Sequence, residues 1–150
     1  MSEGNLNQRV VDVTARFDRL GETTIRDAGG ATNYRWVQWI ARSPYPEGEM
    51  ARFQYDEYYE RSDGGWLMVK YEYDFLEIKR SSRLAFHLHP VAEPVPTPHA
   101  HCEPKLGAPQ HEHYRYIELT IYEALEEHEN WWATDTDLTC DRLRPMLYTP

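Results

Sequence analysis

The chain has 150 residues and a formal net charge of −9, with 41% hydrophobic and 27% charged residues. That is the size and balance of one folded domain, 1–150, rather than of a disordered chain. No apolar run approaches the roughly 20 residues that span a bilayer, which argues against a membrane protein. The start, MSEGNLNQRVVDV, lacks the basic-then-apolar order of a signal peptide, so the expected location is cytoplasmic. An acidic chain is a poor nonspecific DNA binder, because such affinity comes from Lys and Arg on phosphates. A small phosphate, a metal ion or a protein partner stays open.

Residues 5–20 read as a helix, with Leu6, Val10, Val13, Phe17 and Leu20 at spacings of three and four. Asn5 or Asn7 is placed to cap it and Gly21 to stop it. Thr23 to Arg26 suggests a short strand, and YRWVQWIAR, Tyr34 to Arg42, a longer one rich in aromatic and β-branched residues. From Met50 to Glu60 the residues alternate, with Phe53, Tyr55 and Tyr59 on one face. Ser62 to Gly65 is a hairpin signal. Trp66 to Ile78 returns with Leu67, Val69, Tyr71, Tyr73 and Phe75 on one side and Met68, Lys70, Glu72 and Asp74 on the other. After the turn at Arg80 to Ser82, Leu84, Phe86 and Leu88 alternate with Arg83, Ala85, His87 and His89.

Residues 90–98 carry four prolines and read as an extended loop that leads to Pro98-His-Ala-His-Cys102. Pro104 to Pro109 is again loop, and His111 to Tyr116 a short strand or a lead-in to a helix. Ile117, Ile121, Ala124, Leu125, His128 and Trp132 mark an amphipathic helix. In the tail, Leu138, Leu143, Met146 and Leu147 are available to pack back. The predicted fold is α+β: an antiparallel sheet of about four or five strands, with a meander over 50–89 and an N-terminal and a C-terminal helix packed on it.

Six of the seven histidines form three His-x-His pairs, His87/His89, His99/His101 and His111/His113. On a strand such a pair points both rings to one face. Imidazole with carboxylate holds zinc, iron or manganese, so His87, His89, His99 and His101 are candidate ligands of a divalent metal. A neutral and a protonated imidazole across a phosphodiester also act as base and acid. In that case Arg83, Arg80 or Lys105 would contact the phosphate. Cys102 and Cys140 form no C-x-x-C and are too few for a disulfide scaffold, so Cys102 reads as a buried or bystander thiol. His128 lies on the apolar stripe of the last helix and reads as structural.

His87-x-His89 followed by Glu93 resembles the H-x-H-x-x-x-E heart of the cupin motif, with Ser81 and Ala100 where that pattern has glycine. The alternating histidines of nucleotide hydrolases of the histidine triad family are interrupted here by Leu88-His-Pro-Val91.

YEYDF (Tyr71 to Phe75), RLAFHLHP (Arg83 to Pro90), PHAH (Pro98 to His101) and YIELTIYEALEEHENWW (Tyr116 to Trp132) follow one another along the chain. In that order, the stretch 66–132 resembles the TumE-type toxin family of bacterial toxin–antitoxin modules. The resemblance implies a small cytosolic α+β protein paired with an antitoxin, with His99 and His101 as functional residues. The function expected from it is acid–base chemistry on RNA or a nucleotide: His99 and His101 as acid and base, His87 and His89 opposite, Arg83 on phosphate. The alternatives are a metal-dependent enzyme with a His-rich, cupin-like site, and a non-catalytic protein-interaction module.

Overall fold

The structure is a computed structural model that describes residues 1–29, 31–43, 50–89, 97–106, 112–115, 117–141 and 143. The first helix, α1, spans Glu3–Asp18. Its cap is Ser2, whose hydroxyl accepts from the Asn5 backbone N–H at 3.1 Å, rather than Asn5 or Asn7. Such a cap contributes about 1 kcal/mol. Leu6, Val13 and Phe17 form its buried stripe. The chain then turns at Gly21, φ +155°, where a side chain would collide with the Arg42 carbonyl.

Among the described residues seven strands follow: β1 (Glu22–Ala28), β2 (Tyr34–Ser43), β3 (Ala51–Ser62), β4 (Gly65–Glu77), β5 (Ser82–His89), β6 (Thr97–Glu103) and β7 (Glu112–Arg115). They form one sheet in chain order, each strand antiparallel to the next. The second helix, α2 (Ile121–Ala133), opens on a capping box between Thr120 and Glu123. The α+β class and the central meander are as expected, and the sheet is larger. The extra strands lie beyond the meander, where Thr97–Glu103 and Glu112–Arg115 are extended and paired. Residues 90–96 lie outside the described residues, but Thr97–Glu103 pairs with Arg83–His89 of β5. Pro98 is tolerated because it stands near the start of its strand.

One alternation is inverted. Tyr58 pairs with Lys70, yet Tyr59 pairs with Met68, so Val69 is an extra residue in β4. A single inserted residue swaps the face of everything beyond it. Trp66 is therefore buried, and Leu67, expected beside Tyr71 and Tyr73, is 59% exposed.

Both helices cover the same face of the sheet. Phe17 of α1 meets Trp39 and Tyr55 with ring centroids 6.2 and 5.1 Å apart. In α2, His128 stacks on Phe75 and Phe86 at 5.6 and 5.3 Å. Arg16 and Glu129 join the two helices through a 2.6 Å ion pair. Within this core the carboxylate of Glu57 is wholly buried, held by Arg9, Tyr59 and Tyr73. A charge buried this way needs such partners, since desolvation is costly.

Ile117, expected in the last helix, is buried just before it. Arg80, considered for phosphate, instead donates to the carbonyls of Trp131, Trp132 and Thr134 at the end of α2, where helical carbonyls run short of backbone donors. Leu143 is buried and Leu138 packs against the core; Met146 and Leu147 lie outside the described residues. Cys102 is not a free thiol: it forms a disulfide with Cys140. No helix of the described residues is long and apolar enough to cross a membrane.

Candidate metal centre

The site lies on the sheet face that the helices leave uncovered. Alternation in β5 sends Leu84 and Phe86 into the core and Arg83, Ala85, His87 and His89 to the other side. In β6, Ala100 and Cys102 are core residues, so His99 and His101 take that same opposite side. Register then brings the two pairs together, because His87 stands directly across from His99, and Ala85 from His101.

The four rings form one cluster. His89 and His99 have ring centroids 4.7 Å apart, His87 and His101 4.8 Å, and His99 and His101 5.0 Å. Nε2 of His99 and Nε2 of His101 are 3.1 Å apart. One ligand atom from each of His87, His89 and His99 lies within 4.8 Å of the others. A tetrahedral ion with bonds of ~2.0–2.1 Å to nitrogen needs ligands roughly 3.3 Å apart. His87 and His99 are buried, and His89 and His101 half-buried.

Asp74 supports the cluster from β4. Its Oδ2 lies 3.0 Å from Nε2 of His87, and its Oδ1 accepts from Arg83 Nε at 2.8 Å. Burial alone would raise the Asp74 pKa, but the His87 hydrogen bond and the charges of His87 and Arg83 outweigh it and hold the carboxyl below its ordinary value. With Asp74 on Nε2, the Nδ1 atom of His87 is left to meet an ion. A carboxylate on the far nitrogen of a ligand histidine is the usual outer support of a metal site. The donor set therefore fits a divalent transition metal.

Arg83 lies on the same face but is engaged. Beside its bond to Asp74, its guanidinium reaches Glu103 at 3.2 Å. Burial works against its charge, yet these two carboxylates raise its pKa. Lys105 is exposed. The backbone of His113 in β7 pairs with His101, whereas His111 and Glu93 lie outside the described residues. Cys102 is turned to the opposite face from His101 and is closed in its disulfide, so it is no nucleophile. His128 is buried among aromatic rings, its Nδ1 2.5 Å from the Tyr55 hydroxyl, and burial lowers its pKa to about 3.

Asp74 is the site residue that sequence reasoning missed. Its signal was present in the shared polar parity of Lys70, Glu72 and Asp74, but the diagonal contact to His87 needs the β4–β5 register, in which Asp74 faces Ala85. A cavity of about 590 Å³ lies elsewhere, lined by Tyr34, Trp36, Tyr58 and Lys70 among others. None of the candidate residues borders it. Compared with protein-family models, curated proteins and solved structures, the chain matches none, so the likeness to TumE-type toxins rests on its motifs alone.

Proposed function

We propose that the protein holds one divalent transition-metal ion, of the zinc, iron(II) or manganese class, on His87, His89 and His99, and acts through it on a small molecule at the helix-free sheet face. The observation that supports this most is the convergence of three imidazoles from two paired strands, with ligand atoms within 4.8 Å of one another. An ion held by three imidazoles supplies Lewis-acid chemistry and keeps a position open for substrate. Asp74 fixes the ring of His87. His101, beside His99 but outside that ligand set, holds or moves a proton at the site.

A second reading, metal-free acid–base chemistry on RNA or a nucleotide, has the His99–His101 pair in its favour. Two imidazole nitrogens 3.1 Å apart can share one proton, so that one ring serves as acid while the other serves as base. Its phosphate contact is the weaker part, because Arg83 is already paired with two carboxylates. An antitoxin partner belongs to this reading.

Equilibrium dialysis against zinc, manganese and iron(II) separates the two. The metal reading expects about one ion per chain, with much weaker retention in His87→Ala, His89→Ala and His99→Ala. RNA cleavage by metal-free protein, lost in both His99→Ala and His101→Ala, would select the second. Silence in both assays, with stability unchanged in those variants, would leave a protein-interaction module.

A further inference from the structure

On the same uncovered face, a second pocket adjoins the histidine cluster. Arg52, Gln54, Asp74, Leu76 and Arg83 line a cavity of about 190 Å³. The strand register explains its chemistry: Arg42, Arg52, Leu76, Arg83 and Glu103 occupy successive positions across β2 to β6. Three arginines share this row, between Glu22 at one end and Glu103 at the other, on a chain whose net charge is −9.

Two of these cations differ in what they hold. Arg83 is matched by Asp74 and Glu103. The Arg52 guanidinium meets only the neutral side-chain oxygen of Gln54, and its Nε, out of contact with water, has no hydrogen-bond partner among the described residues. No carboxylate of the described residues forms an ion pair with it. A buried donor on a permanent cation is costly to leave unmet. The Arg52 guanidinium, which lines this pocket without an acidic partner, suits a planar oxyanion, because a guanidinium binds one through two parallel hydrogen bonds.

We infer that this pocket is an anion subsite that binds the carboxylate of a small organic acid at Arg52. The acid's other end would point past Asp74 toward the histidines. Size supports a small ligand: a cavity of about 190 Å³ takes a carboxylate with a short carbon chain. Leu76 supplies an apolar wall for that chain. Asp74 belongs to both sites, with one oxygen on Arg83 and the other on His87, so a ligand in the pocket lies beside the support of the proposed metal ligand. This deepens the metal reading by naming its substrate class and rests on it for the chemistry, though not for the binding.

The test is calorimetric titration of pyruvate and of lactate, with lactamide as the uncharged control, into metal-free and zinc-loaded protein. The expected result is that both acids bind the metal-free protein and lactamide does not. In Arg52→Gln, affinity falls about tenfold or more. As a check independent of how that variant folds, the Arg52 guanidinium resonances of the unmodified protein are followed by NMR as pyruvate is added, and they should shift. Acid binding that appears only with zinc, leaves those resonances unmoved and is unchanged in Arg52→Gln would overturn the subsite while leaving the metal reading intact. Acid binding at Arg52 in a protein that takes up no zinc would support the subsite and overturn the metal reading. Tighter binding of inorganic phosphate than of pyruvate at Arg52 would overturn the carboxylate assignment.

Discussion

Nε2 of His87 lies 3.0 Å from Oδ2 of Asp74, a contact made diagonally between neighbouring strands. It occupies Nε2 and leaves Nδ1 as the ring nitrogen open to an ion. Replacing Asp74 with Asn keeps the shape but weakens this support. Zinc affinity is expected to drop roughly 10- to 100-fold, read by competition with a chelating dye. Unaltered affinity in Asp74→Asn would show that the carboxylate does not position the ring.

His128 predicts a pH dependence of stability. Its pKa is lowered from 6.5 to about 3 by burial, so between those values the unfolded chain takes up a proton that the folded chain refuses. This contribution is intact above about pH 6.5 and is lost as the pH falls toward 3. At pH 5 the loss is about 2 kcal/mol. Urea unfolding at pH 5 and 7.5 checks it: His128→Asn should be less stable at the higher pH and show a flatter dependence. An equally steep dependence in the variant would assign the acid sensitivity to other groups.

Glu57 is buried without exposure, and Arg9 is its only cationic partner among the described residues. In Arg9→Met the carboxylate keeps only the Tyr59 and Tyr73 hydroxyls. Breaking a buried pair from one side costs roughly 3–5 kcal/mol. The thermal midpoint of Arg9→Met should therefore fall by many degrees, and adding Glu57→Gln should restore part of the loss. Additive losses in the double variant would argue against the coupling.

The Cys102–Cys140 disulfide closes a sequence separation of 38. By the chain-entropy estimate a loop of this length stabilises the fold by about 4 kcal/mol. Cys140→Ala, compared with the oxidised protein by chemical denaturation, should show a loss of that order. Two free thiols in protein purified under air, by mass spectrometry after alkylation, would contradict the bond. Such a bond belongs to oxidising surroundings rather than to a reducing cytosol.

Local patterning revealed the strands better than their partners. The period-two runs of β3, β4 and β5 were legible because aromatic and β-branched residues alternate with charge, as Phe53, Tyr55, Tyr73 and Phe75 do. The bulge at Val69 was not, since one inserted residue leaves composition unchanged and reverses only parity. Proline misdirected the reading of β6: Pro98 excludes a central position in a strand but not one near its start. The histidine pairs were visible as pairs, and their convergence followed only from the register that sets His87 opposite His99. Cys102 and Cys140 share no motif, so the bond between them depends on where the chain beyond α2 returns, which no local signal encodes.

The most direct test of the metal site is to follow the imidazole nitrogen resonances of the whole protein by NMR while zinc is added. The account predicts that the rings of His87, His89 and His99 shift together and saturate at about one ion per chain, while His128 in the core does not move. Resonances that stay in place for those three rings, or that shift only for histidines elsewhere, would contradict it.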